Sequence, residues 1–170
     1  MILQTQRLYL RELTHDDFGE LCGILQDVQV MKAYEHAFCD AEVWQWLEKQ
    51  QTRYREDGFG LWAVIDRQTG AFLGQTGLTM QPCDAQRLPE IGYLFKKEYW
   101  HRGYATEAAE GCKQYAFDTL GYDAVYAIIR DNNLPSQKVA QRIGMQEWKR
   151  IVRHYYNMDM PHIVYRIAKV

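Results

Sequence analysis

The sequence predicts a single α/β (α+β) domain over residues 1–170, with a mixed sheet of about seven strands and about four helices. Three observations predict it. A chain of 170 residues amounts to about one domain at roughly 150 residues each. The hydrophobic period switches repeatedly between that of strands and that of helices, in the order β-α-α-β-β-β-α-β-α-β-β. Finally, a strand, a helix and a strand between residues 90 and 129 are joined by short connections, which makes a βαβ unit with parallel strands and a right-handed crossover.

The elements follow in chain order. Leu8, Leu10 and Leu13 alternate with Arg7, Arg11 and Glu12 as a strand over residues 7–13. Thr14 offers an N-cap hydroxyl ahead of Asp16 and Asp17, so a helix starts near Asp16, carrying Phe18, Leu21, Cys22 and Leu25 on one face. A second helix follows Asp40 as N-cap and is closed by Gly58. Leu61 to Ile65 and Phe72 to Met80 read as a hairpin about the turn Asp66 to Gly70, with Gln81 to Gln86 as a polar segment before the strand Glu90 to Phe95. Gly103 to Leu120 is the strongest helix, with Ala105, Ala108, Ala109, Cys112, Tyr115 and Ala116 on one face and Gly121 at its end. The strand Ala124 to Ile129, a helix from about Leu134 to Ile143 and two strands around Asn157 to Pro161 complete the domain.

Composition removes several classes. Hydrophobic residues make up 47% and charged residues 25%, as in ordinary globular proteins and unlike disordered ones. Lys and Arg number 20 against 22 Asp and Glu, so no overall basic field draws in nucleic acid or an anionic membrane. The longest apolar stretch, Phe59 to Ile65, is far short of a membrane span, and the N-terminus lacks the apolar core of a secretory signal. A cytoplasmic location is expected. Cys22, Cys39, Cys83 and Cys112 form no C-x-x-C pair, and His15, His36, His101, His154 and His162 have no ligand spacing, so no metal is expected. Walker A, dinucleotide and G-x-S-x-G signatures are absent. Arg102-Gly103-Tyr104-Ala105 matches half of an RNA-recognition signature, and the match ends at Thr106-Glu107-Ala108-Ala109, where a helix begins instead of an aromatic strand.

In open α/β sheets ligands bind beyond the carboxyl ends of parallel strands, where the next helix presents free amides. Here that place is Lys96 to Ala105, with basic Lys96, Lys97 and Arg102 and small Gly103 and Ala105, which suits a phosphate or pyrophosphate. An ordinary solvated turn accounts for the same spacing equally well.

Trp100-His101-Arg102-Gly103-Tyr104-Ala105-Thr106-Glu107-Ala108 resembles the acetyl-CoA loop, Q/R-x-x-G-x-G/A, of the GNAT superfamily of N-acetyltransferases, in the branch of ribosomal-protein N-terminal alanine acetyltransferases. Thr5 to Arg11, Gly60 to Val64, Phe72 to Gly74 and Glu90 to Tyr93 resemble that branch's first four strands, and Asn133-Leu134-Pro135-Ser136 with Arg142 to Met145 resembles its late N-x-x-S helix. The resemblance implies a single GNAT-like domain whose parallel fourth and fifth strands splay apart around acetyl-CoA. It places the pyrophosphate on the amides of Arg102, Gly103, Tyr104 and Ala105, in a loop that includes Trp100, His101 and Thr106. It also places the pantetheine along Tyr93, Leu94 and Phe95, the cofactor arm at Asn133 and Ser136, and its phosphates within reach of Lys138.

The implied reaction is acetyl transfer to a primary amine, of a protein N-terminus or a small molecule, by direct attack in a ternary complex. It needs a neutral amine, donors for a developing oxyanion and a proton for the thiolate. Glu90 is the candidate base, a main-chain N–H near Leu94 the oxyanion donor, and Ser136 the partner of the sulfur. The family's usual acid, a Tyr seven residues after the Asn, is Ala140 here, which leaves Tyr93 and Tyr126 as substitutes. A surface role for Glu90 and a capping role for Ser136 are the alternatives. The acceptor is expected to be held by Val28 to Phe38 and the loop before the last strand, in a monomer or homodimer. A non-catalytic acyl-CoA-binding module on the same fold is the alternative function.

Overall fold

A computed structural model describes residues 1–170. It has one sheet of eight strands in the order β1-β2-β3-β4-β5-β6-β8-β7. The strands are β1 (Leu3–Gln4), β2 (Leu8–Arg11), β3 (Leu61–Asp66), β4 (Phe72–Cys83), β5 (Gln86–Phe95), β6 (Ala124–Arg130), β7 (Gln146–Tyr155) and β8 (Met158–Ala168). The helices are α1 (Phe18–Leu25), α2 (Asp40–Glu56), α3 (Tyr104–Asp118) and α4 (Leu134–Arg142). The strands numbered fourth and fifth from the sequence are β5 and β6, because the two-residue β1 precedes them. They are the one parallel pair, with α3 as their crossover.

Local chemistry sets the boundaries. Thr14 precedes a single 3₁₀ turn, His15–Asp17, before α1 starts at Phe18. Asp17 accounts for the delay: its carboxylate takes the Thr14 N–H (2.8 Å) and both terminal guanidinium nitrogens, Nη1 and Nη2, of Arg11. Asp40 is the first residue of α2, and Cys39 occupies the cap position. The polar segment Gln81 to Gln86 does not separate two strands. β4 and β5 run in register from Gly74↔Phe95 to Cys83↔Gln86, turning only at Asp84 and Ala85. Its polar residues are the solvated end of a long hairpin.

The sheet has two apolar faces. α3 and α4 cover one, where Leu78, Ile91 and Phe95 pack with Ala108, Cys112, Ala116 and Val139. α1 and α2 cover the other, where Leu21, Leu25, Val43 and Leu47 pack on Ala63, Ile65 and Phe72. Gly77 marks the tightest approach: a Cβ there would lie 2.0 Å from the Gly60 carbonyl oxygen. The cysteines are free, with Cys83 and Cys112 buried. No helix is long and apolar enough to cross a membrane.

Candidate active site

β5 and β6 are joined by one registered pair, Glu90↔Tyr126, and part beyond it. A continued parallel ladder would have the Ile128 N–H donate to the Ile91 carbonyl. Instead it donates to Glu90 Oε2 at 2.5 Å. A side chain thus takes the place of the strand at the point of separation.

The alternation of the β4–β5 ladder shows which main-chain groups face the gap. Lys96 N donates to Leu73 O (3.0 Å), and the register continues without a shift, so Leu94, Gly92 and Glu90 direct their amides to β4. The Leu94 N–H is therefore committed to the ladder opposite Gln75. Toward the gap point the N–H and C=O of Tyr93 and the N–H of Phe95. The Phe95 carbonyl accepts from Trp100 Nε1 at 3.0 Å, which ties the following loop to the strand end. Free, evenly spaced donors and acceptors on one strand edge fit a ligand that carries amides of its own.

Glu90 is half-buried and densely surrounded. Burial pushes its carboxyl up to about 7, outweighing the Ile128 hydrogen bond and the charges of Arg153 and Arg53. A carboxyl in that range exchanges protons near neutrality, as a general base must.

Beyond Phe95 the chain makes a 3₁₀ turn, Lys97–Tyr99, and then reverses through His101 (φ 62°) and Gly103 (φ 78°) into α3. Gly103 is the N-cap and has no side chain to offer, so the amides of Tyr104, Ala105 and Thr106 have no capping partner. Glu107 N closes the first turn onto Gly103 O at 3.0 Å. The Glu107 carboxylate is drawn away from these amides by Thr5 Oγ1, Arg7 N and Arg7 Nε, at 2.7, 2.8 and 2.6 Å. Burial opposes its charge, but those donors hold it below the usual carboxylate range. The free amides thus keep their attraction for an anion. His101, Gly103, Thr106 and Arg142 line an open cavity of about 470 Å³ here. Arg142, at the end of α4, was missed as a site residue; it stands four residues after Lys138, on the same helical face.

α4 meets β5 through Tyr93, whose hydroxyl donates to the Ser136 carbonyl at 2.6 Å. With that proton engaged and burial raising its pKa, Tyr93 is a poor proton donor. Tyr126 is held differently: its hydroxyl accepts from Arg166 Nε (3.3 Å), which leaves its proton free, and its ring packs against Trp148. Asn133 is the cap of α4, its side-chain oxygen accepting from Ser136 N at 3.4 Å. Ser136 contributes only its amide to that cap, and its half-buried hydroxyl is left without a partner. Lys138 is exposed and unpaired.

On the opposite face, residues 30–38 meet the turn between β7 and β8. His36 packs edge-on against Tyr156 at 5.5 Å, and Glu35 pairs with Arg130. The two segments expected to hold an acceptor are thus in contact. No group of three or more His, Cys, Asp and Glu side chains is arranged to hold a metal ion.

Comparison with known proteins agrees with this geometry. The family model of the acetyltransferase (GNAT) domain matches residues 7–146. The protein YkkB of Bacillus subtilis (strain 168) is 36% identical over 150 residues, 88% of this chain and 87% of YkkB. A GNAT-family acetyltransferase from Bacillus anthracis superposes with a TM-score of 0.83 at 23% identity, over 98% of this chain and 97% of that one. A spermidine N-acetyltransferase from Vibrio cholerae, in complex with CoA and spermine, superposes with a TM-score of 0.75 at 18% identity, over 95% of each chain. The match over residues 7–146 takes in the split strands, the amide-rich loop and α4, and with it the chain belongs to the GNAT family of acetyltransferases.

Proposed function

We propose that the chain transfers the acetyl group of acetyl-CoA to a primary amine by direct attack in a ternary complex. The observation that carries this reading is the β5–β6 opening, which holds a carboxyl poised near neutrality beside a free strand edge and leads to an uncapped helix N-terminus. The amides of Gly103 to Thr106 would hold the pyrophosphate, with Trp100, His101 and Arg102 shaping the loop. The free edge of Tyr93 and Phe95 would hold the pantetheine, and Asn133, Lys138 and Arg142 would line the cofactor arm and its phosphates. Bound there, acetyl-CoA supplies an activated thioester.

Glu90 takes the proton of the incoming ammonium, so that the amine attacks in its neutral form. The Tyr93 amide, the free donor on the β5 edge nearer Glu90, would face the oxygen that gains charge, which leaves the Tyr93 carbonyl and the Phe95 amide for the pantetheine. The Ser136 hydroxyl serves the departing sulfur, which needs little help because a thiol pKa near 8.5 makes the thiolate a tolerable anion. The acceptor class extends to protein N-termini through the residue resemblance to the ribosomal-protein branch. A screen of N-terminal peptides, polyamines, aminoglycosides and amino acids for release of free CoA tests the proposal. Release with at least one amine is expected; binding of acetyl-CoA with no release under any amine would leave an acyl-CoA-binding module instead.

A further inference from the structure

The wall beside Glu90 on the α1/α2 face is short of hydrogen-bond acceptors. Trp46, Gln50 and Arg53 follow one another at helical spacing on α2 and meet β3 and β4. Gln75 Oε1 accepts from Trp46 Nε1 at 3.0 Å. Gln50 Oε1 accepts from Leu61 N and from Arg53 Nη1, both at 3.1 Å. An indole, a main-chain N–H and a guanidinium can only donate, so both amides have their NH₂ groups on the other side. Gln50 and Gln75 are each 0% exposed, and neither NH₂ meets an acceptor. Unpaired buried donors are uncommon in native proteins and unfavourable.

Charge repeats the pattern. Arg53 is half-buried and lies close enough to Glu90 and Tyr34 to act on their ionisation, yet no carboxylate stands within 4.0 Å of it. The same is true of Arg87 and of Arg153, whose Nη2 reaches only the Pro82 carbonyl (3.1 Å). Glu35 is engaged elsewhere, with Arg130. Asp57 acts on Arg53 from a distance without closing on it. A polyamine placed here with one amine at Glu90 would turn its remaining cations toward guanidinium groups. A carboxylate supplies what the wall lacks, two acceptor oxygens matched to a guanidinium fork.

We infer that the acetyl acceptor is a small amine bearing its own carboxylate, which Arg53, braced by Gln50, takes while the amine meets Glu90. The inference rests on the acetyltransferase reading above and narrows its substrate class. An α-amino acid is the simplest molecule of this kind.

The test uses the whole protein, as its CoA complex for binding and with acetyl-CoA for turnover. The probes are the L-amino acids, their carboxamides, acidic dipeptide amides and spermidine. Calorimetry reads binding and free thiol reads turnover. At least one carboxylate-bearing amine should be preferred over its carboxamide by roughly ten- to a hundredfold, the range for a hydrogen bond to a charged group. Arg53→Gln should erase that preference through KM rather than kcat, with acetyl-CoA affinity unchanged, and Arg53→Lys should restore part of it. Acidic dipeptide amides that outdo free amino acids would keep the inference and place the carboxylate on a side chain. Equal use of carboxamides, or preference for spermidine, overturns the inference and leaves the transferase reading standing. Failure to bind acetyl-CoA overturns both.

Discussion

Replacing Glu90 by Gln separates its catalytic and structural roles, because an amide oxygen can still accept from Ile128 N while the proton-accepting capacity is gone. The wild-type carboxyl titrates near 7, so its active fraction rises through neutrality. At pH 7 an α-amine (pKa about 7.7–8.0) and a lysine amine (about 10.4) differ several-hundredfold in neutral fraction, so a lysine-like acceptor depends far more on the base. Glu90→Gln should lose about 10²- to 10⁴-fold at neutral pH and recover much of it toward pH 9.5, where the amine arrives neutral. Stability should move oppositely. A carboxyl raised from 4.5 to about 7 disfavours the folded state once ionised, by at most about 3 kcal/mol and less where solvent screens it. That penalty is absent below pH 4.5, grows between pH 4.5 and 7 and is constant above. Glu90→Gln should therefore gain stability over wild type across that window. Steady-state rates from pH 6 to 9.5 and urea denaturation at pH 4.5 and 8 measure both. Parallel rate profiles would remove Glu90 from the base role, and a stability difference independent of pH would show that burial does not raise its pKa.

Further substitutions address other parts of the site. Gly103→Ala would bring its Cβ into ordinary contact with Arg7 Nη2 (3.5 Å) but sits on a left-handed backbone (φ 78°), so it should lower stability by about 1–2 kcal/mol, and Gly103→Val should also weaken acetyl-CoA binding more than tenfold in titration. Ser136→Ala leaves the Asn133 cap intact and should keep the melting temperature while lowering kcat toward the low end of the roughly 10²- to 10⁴-fold range for acid–base catalysis; unchanged kcat would dismiss the hydroxyl. Glu107→Gln should cost about 1–3 kcal/mol at pH 7. The wild-type carboxyl is depressed, so this contribution is full above about pH 4.5, fades as pH falls through the folded value, and the two proteins should converge at lower pH in denaturation curves. Gly77→Ala drives a Cβ to 2.0 Å from the Gly60 carbonyl and should fail to accumulate as folded protein, seen in soluble yield and circular dichroism.

The hydrophobic period made most of the fold legible, because a face of Ala105, Ala108, Ala109, Cys112 and Ala116 admits only a helix and Leu61 to Ile65 only a strand. Two residues such as Leu3 and Gln4 carry no period, so β1 could be seen only through its partner Leu10. The hairpin end at Gln81 to Gln86 was hidden because its strand residues are solvated, and solvation erases the alternation. Within the site, local motifs were legible and long-range contacts were not. Gly103 and Asn133 stand in recognisable patterns, yet nothing around Asn133 separates a helix cap from a ligand contact. Glu90 meeting Ile128, Gln75 meeting Trp46 and Arg142 lining one cavity with His101 join residues dozens of positions apart, and only the packed sheet brings them together.

The gap between β5 and β6 gives this protein an edge strand in the middle of its sheet. Outer edges invite other chains to pair with them, and proteins blunt them for that reason. This one is shielded by its position, between two halves of one sheet, and admits only a narrow, amide-bearing partner. In hydrogen exchange, the Tyr93 and Phe95 amides should lose protection faster than Leu94 or Gly92 beside them, although all four lie on one strand. A ligand that pairs with this edge would restore the missing ladder, slow those two amides, and let two half-sheets joined by a single registered pair unfold as one.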